Sequence, residues 1–291
     1  MTVVRGVSDV QRNAPLARGV AYLMSRALTL LLFAAAICAT PRGGWSQAPS
    51  LTVVRPDSVL HRLPIDGARL RAGRLVYRTA LVKDSVASFS ADLQVDVAET
   101  QYAGAAGWLF TQVGQQGTSM FSDSLIVSRS ELRPLHWTAA LGAARLAAEF
   151  TPDTIFGAMS SPLGRQNIVI GNRADLLPNM TSVDMVLTSL PLSLGWRDSI
   201  HVLVVDAGGA AITMGALAVE GEEHIIVPAG EYDCWVVSLE TERGAARYWV
   251  SKESPLVIRS EQVLPQLNGA VLSRELAFAP APIVIPPERT R

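Results

Sequence analysis

Val227-Pro228-Ala229-Gly230-Glu231-Tyr232-Asp233-Cys234-Trp235-Val236-Val237-Ser238-Leu239-Glu240, followed after a short break by Ala246-Arg247-Tyr248-Trp249-Val250-Ser251-Lys252-Glu253-Ser254-Pro255-Leu256-Val257-Ile258-Arg259-Ser260-Glu261, decides the fold class. Short β-branched and aromatic runs are punctuated by Pro228, Gly230, Gly244 and Pro255. Proline removes a ladder donor and glycine brings no side chain to pack, so both belong at strand ends and turns. The stretch reads as consecutive antiparallel strands, not as a set of reacting groups.

Outward from it, residues 88–98 show the clearest alternation. Phe89, Ala91, Leu93, Val95 and Val97 interleave with Ser88, Ser90, Asp92, Gln94 and Asp96, which makes one face buried and one wet. Similar runs at 70–82, 107–113, 124–129, 134–140, 145–150, 154–159, 166–170, 199–206, 211–220, 224–227 and 271–278 are separated by Gly, Asp, Ser and Pro, as in a meander. The expectation is a single, mainly all-β domain over 73–279, with 49–72 as a linker and strand lead-in. A tail at 280–291 carries Pro280, Pro282, Pro286 and Pro287 and reads as extended.

One segment breaks the two-residue period. Val183, Val186, Leu187 and Leu190 fall at i, i+3, i+4 and i+7, Thr181 and Asp184 have capping-box spacing, and Pro191 stops the element. A short amphipathic helix is predicted, its apolar stripe laid on the concave face of a curved sheet.

The N-terminus speaks to location. Residues 27–39 are uncharged and apolar between Arg26 and Pro41-Arg42. Thirteen residues suit the h-region of a secretory signal and fall short of the roughly 20 that span a bilayer. Residues 1–48 are therefore predicted to be a cleaved signal with an extended lead, Met24 being an alternative start. Ser46-Gln47-Ala48 and Gly44-Trp45-Ser46 compete as the cleavage motif, and Ile37 before Cys38 departs from the small residue a lipoprotein signal needs. The protein is expected in the periplasm or associated with the outer membrane.

The first 48 residues hold five arginines against Asp9, so the remainder carries about -5 from a whole-chain value of -1. With only Lys83 and Lys252 as lysines and no basic run, nothing suits nucleic acid. Cys234 is the one cysteine after Cys38, so an intramolecular disulfide is excluded from the exported part, and its strand context predicts a buried hydrophobe.

The sequence carries no constellation of reacting groups. His61, His136, His201 and His224 are isolated, without the spacing of a zinc site, so neither metal nor cofactor is expected. His201 and His224 lie on predicted strands and are expected on a solvated face. Asp206-Ala207-Gly208-Gly209 has the composition of a hairpin turn. Asn179-Met180-Thr181 matches the glycosylation pattern and reads as the lead into the helix. Trp196, Trp235 and Trp249, among many aliphatic residues, suit either the wall of an apolar cavity or an ordinary core.

Leu190-Pro191-Leu192 with Gly195-Trp196, Val227-Pro228-Ala229-Gly230-Glu231-Tyr232 with Trp235, and Tyr248-Trp249-Val250 before Pro255 resemble the bacterial exported domain-of-unknown-function family 3108, over about Gly73 to Phe278. The resemblance implies a curved antiparallel half-barrel or open barrel, similar to that of periplasmic lipoprotein carriers, cupping a helix and an apolar ligand. It brings no catalytic residue.

These readings lead to a non-enzymatic envelope protein that holds an acyl chain or lipoprotein tail, with Val186, Leu190, Trp196, Trp235 and Trp249 as ligand-binding candidates. The alternative is a structural β domain, its core filled by its own side chains, that binds an envelope partner. A third reading is a hydrolase drawing on His136, His201, His224, Asp206 or Asp233, which requires at least two of them within hydrogen-bond reach in a pocket.

Overall fold

A computed structural model describes residues 63–280, apart from 117, 118, 163, 174, 178, 179, 207, 208 and 243. The expected signal segment, His61, Asn179 and the tail beyond Pro280 lie outside the described residues. Within them the chain forms β1 (Gly73–Lys83), β2 (Val86–Tyr102), β3 (Ala105–Gln116), β4 (Ser119–Ser128), β5 (Pro134–Leu141), β6 (Ala144–Phe150), β7 (Thr154–Ser161), β8 (Gly164–Gly171), β9 (Leu176–Leu177), α1 (Met180–Ser189), β10 (Arg197–Asp206), β11 (Gly209–Val227), β12 (Gly230–Thr241), β13 (Gly244–Ser251), β14 (Val257–Leu264) and β15 (Ala270–Phe278).

All fifteen strands share one sheet, in the order β8-β7-β6-β5-β4-β3-β2-β1-β15-β14-β13-β12-β11-β10-β9. The chain meanders outward from β1 to β8, crosses through α1, and meanders back from β10 until β15 pairs antiparallel with β1. The two edges, β8 and β9, are therefore consecutive in sequence. The sheet is curled without closing, and β8 returns alongside β11 with no ladder between them. Every pairing is antiparallel except β9 with β10, where His201 and Val202 meet Leu176 and Leu177. The all-β curved meander expected from the alternation is the fold.

The period-two reading holds in β2, where Leu93 and Val95 are buried. The runs at 211–220 and 224–227, read as separate, are one strand of 19 residues, β11, whose register against β12 shifts between Val219 and Gly221. A bulge bends a strand and re-aims its side chains. Beyond the bend, Ile225 and Val227 join Cys234, Val236, Trp249, Ile258, Leu276, Tyr77, Leu93 and Val95 in a second apolar cluster. The Ala229 N–H donates to the Leu276 carbonyl at 3.2 Å, fixing the hairpin against β15. Both faces of β12 are thus covered, with Val237 and Leu239 in the larger cluster and Cys234 and Val236 in the smaller. Cys234 is buried, and burial pushes its thiol up to about 12.

The larger cluster draws on β3 to β8, on β10 to β14 and on α1. Here the helix departs from expectation. Val183, Val186, Leu187 and Leu190 are buried, but so are Ser182, Met185, Thr188 and Ser189, on the other faces. From Ser182 to Ser189 only Asp184 is not fully buried, so this stretch has no wet stripe. Asp184, spaced for a capping box with Thr181, pairs instead with Arg274.

A strap from the predicted lead-in, Leu63 to Arg71, closes over the end of α1. The Asp66 N–H donates to the Ser189 carbonyl at 2.9 Å, and Arg69 donates to the Leu190 carbonyl at 2.9 Å, answering acceptors that a helix C-terminus leaves open. On its other side the Gly67 N–H donates to the Ser130 carbonyl at 2.8 Å, and the Trp108 indole donates to the Gly67 carbonyl at 3.2 Å. A Cβ at position 67 would lie 2.2 Å from the Arg129 carbonyl oxygen. Gly67→Val is expected to cost about 1–3 kcal/mol in urea unfolding, the range for overpacking. Gly171→Ala, where a Cβ meets nothing within 4 Å, should stay within about 0.5 kcal/mol. Equal midpoints for the two variants would show that the strap is not held at Gly67.

Candidate functional site

The concave face is where the expected ligand-binding residues mostly meet. Val186 and Leu190, each 1 % exposed, lie in the larger cluster, and Trp196 and Trp235 pack against it. Trp196 stands in the turn before β10 rather than on a strand. Trp249 is separated from the other four. It belongs to the second cluster, and its indole donates to Glu223 at 2.7 Å. Alternation explains the split, since neighbouring residues of β13 point to opposite faces: Tyr248 and Val250 face the larger cluster.

At the centre of this face stands a polar contact that no periodicity reveals. Arg274, in the middle of β15 between Thr79 of β1 and Ser260 of β14, donates from Nη2 to both carboxylate oxygens of Asp184, at 2.6 and 2.8 Å. Its Nε donates to Ser260 at 3.1 Å, and its guanidinium carbon lies 4.7 Å from the centre of the Tyr77 ring. Tyr77 belongs to the second cluster and donates its hydroxyl to the Val257 carbonyl at 3.0 Å, while Tyr248 belongs to the first. The side chains of Arg274 and Asp184 are only 13 % and 15 % exposed.

Burial pushes the Asp184 carboxyl above its ordinary range, against the pull of Arg274. A carboxyl raised in the folded state contributes stability that is present below its unfolded value and lost as pH rises through the folded one. Because two buried charges give up hydration that their attraction only partly returns, the pair positions the helix more than it stabilises the fold. Asp184→Leu alone, which leaves the guanidinium uncompensated, should cost about 3–5 kcal/mol in urea unfolding. The double variant Asp184→Leu with Arg274→Met should recover wild-type stability or exceed it by about 1–4 kcal/mol. Additive losses in the double variant would contradict this reading.

The histidines are held apart. His136 Nδ1 lies 2.7 Å from Glu149, whose other oxygen accepts from Tyr102 at 2.6 Å, and the Tyr102 ring stacks on the imidazole. His201 Nδ1 lies 2.6 Å from Asp175, and His224 Nδ1 lies 3.0 Å from Asp233. Of the residues named for a hydrolase, only His224 and Asp233 meet, and both side chains are more than half exposed. Asp206 pairs with Gly209 at the end of the β10–β11 hairpin, as its turn composition indicated. Among the described residues no group of His, Cys, Asp and Glu stands close enough to hold a metal ion, and no helix is long and apolar enough to cross a membrane.

The hydrogen bond to Asp233, helped by Glu231, lifts the His224 imidazole above its ordinary value. Its contribution to stability is present below about pH 6.5 and lost as pH rises through the elevated folded value. Replacing His224 with Gln should flatten the fall in melting temperature between about pH 6 and about pH 8. Parallel pH profiles for the two proteins would rule out this assignment.

The family profile described as a protein of unknown function, DUF3108, matches residues 90–264. No curated protein matches the chain. Among solved structures, a β-barrel-like protein of the domain of unknown function DUF1849 from Brucella abortus is 8 % identical, with a TM-score of 0.48 over 73 % of this chain and 98 % of that one. A putative exported protein with a YmcC-like fold from Bacteroides fragilis is 11 % identical, with a TM-score of 0.37 over 73 % and 97 %. The hypothetical lipoprotein YmcC from Escherichia coli is 13 % identical, with a TM-score of 0.31 over 76 % and 90 %.

Proposed function

The chain belongs to the family of unknown function DUF3108, and from that premise we propose that it is a non-enzymatic protein of the cell envelope whose curled sheet binds an apolar chain, such as a lipid acyl group or a lipoprotein tail, in the space that α1 occupies. The single observation that carries this reading is the enclosure of α1. Residues from both meanders surround a ten-residue helix, which offers to the sheet the kind of surface an acyl chain would offer.

The energetics favour exchange over simple filling. Burial contributes about 25 cal/mol per Å2, so covering a few hundred Å2 of acyl surface supplies several kcal/mol. Displacing the helix gives up a comparable amount unless its apolar residues find a new partner. The ligand therefore acts by selecting a conformation in which the helix has moved. Export follows from the uncharged run at 27–39.

A second reading is supported by the same enclosure. A helix so deeply enclosed also suits a filled core, in which case the protein acts as a structural or partner-binding domain. Native mass spectrometry of protein purified gently from its own envelope fraction, with organic extraction of what is released, separates the two. Stoichiometric lipid is expected. An empty, folded protein that takes up no added amphiphile would overturn the carrier reading in favour of the filled domain.

A further inference from the structure

Asp184 is the one residue between Ser182 and Leu190 that is not fully buried, and its carboxylate sits on a guanidinium that the sheet has prepared independently of the helix. Arg274 is anchored by β15, held at Nε by Ser260 and backed by the Tyr77 ring. Its contact with the described residues of α1 is made through Nη2. If α1 leaves the concave face, this cation stays behind between Thr79 and Ser260, against the Tyr77 ring and without its carboxylate, a position that favours an anion.

The geometry points to Arg274 as the head-group site of the cavity, with Asp184 as the internal stand-in that an amphiphile bearing an anionic head, carboxylate or phosphate, displaces. The inference rests on the apolar-chain reading and specifies the chemistry of its ligand. The guanidinium donates to the oxygens of a carboxylate or a phosphate in the place of Asp184, and the tail then takes the path of Val183, Val186, Leu187 and Leu190. Because one anion replaces another, the guanidinium is compensated in both states. A neutral amphiphile offers no such replacement and would leave Arg274 bare.

The test compares oleate, oleyl phosphate and oleyl alcohol, which share one chain, by titration of the full chain under native mass spectrometry. Tighter binding of either anion than of the alcohol, by tenfold or more, is expected, and the better of the two identifies the head. Equal binding of all three overturns the head-group assignment while leaving the apolar-chain reading in place. Binding of none overturns both. Asp184→Asn should raise anion affinity by tenfold or more, and Arg274→Gln should remove the preference for anions. Unchanged anion affinity in a folded Asp184→Asn protein would overturn the exchange. Should either variant fail to fold, the comparison of the three ligands on the wild-type chain decides the assignment.

Discussion

A helix buried as deeply as α1 must have its polar groups answered by the protein around it, and the architecture turns on how they are answered. Its last carbonyls receive the Asp66 N–H and the Arg69 guanidinium. Its one carboxylate receives Arg274. Thr188 returns its hydroxyl to the Met185 carbonyl, at 2.9 Å. The Ser189 hydroxyl, wholly buried, meets no hydrogen-bond partner among the described residues. An unmet hydroxyl and a desolvated ion pair each carry a cost that an apolar side chain of similar size would not. The helix is therefore held in place more by specific contacts than by the most stable packing available to it.

The sheet topology makes this arrangement possible. Two meanders that start from the paired strands β1 and β15 curl toward each other, and α1 lies in the connection between their far ends. The helix is thus covered by strands from both arms, while the strap ties its C-terminal end to the β4–β5 turn through Gly67 and Ser130. The bend in β11 has a different consequence. It builds a second apolar cluster that keeps β1, β13 and β15 buried independently of the helix. Displacement of α1 would leave that cluster intact, and Arg274 stands where the two clusters meet.

Much of the fold was legible because strands declare themselves by local alternation. The turn residues Pro228, Gly230 and Gly244 and the pattern at 88–98 depend on nothing distant. The bulge was visible only as a gap, since Gly221-Glu222-Glu223 interrupts the apolar run and looks like a break between strands. The helix stripe was legible, but its other faces were not. Ser182, Thr188 and Ser189 look solvated until a sheet encloses them, and Asp184 fitted a local cap as well as a partner 90 residues away. Arg274 sits in an ordinary alternating strand, and Leu63 to Arg71 carries no period. Such contacts depend on tertiary register, which composition does not encode. Trp249 was grouped with Trp235 by residue type, although β13 turns it to the opposite cluster.

Hydrogen exchange at the amides of Met180–Ser189 in the native protein, read with and without oleate, tests the central claim most directly. If α1 is a displaceable occupant of the concave face, its amides should exchange faster than those of β12 and β13 and faster again when oleate is present. Helix amides as protected as the strand amides, and unmoved by oleate, would show that α1 is a permanent part of the core.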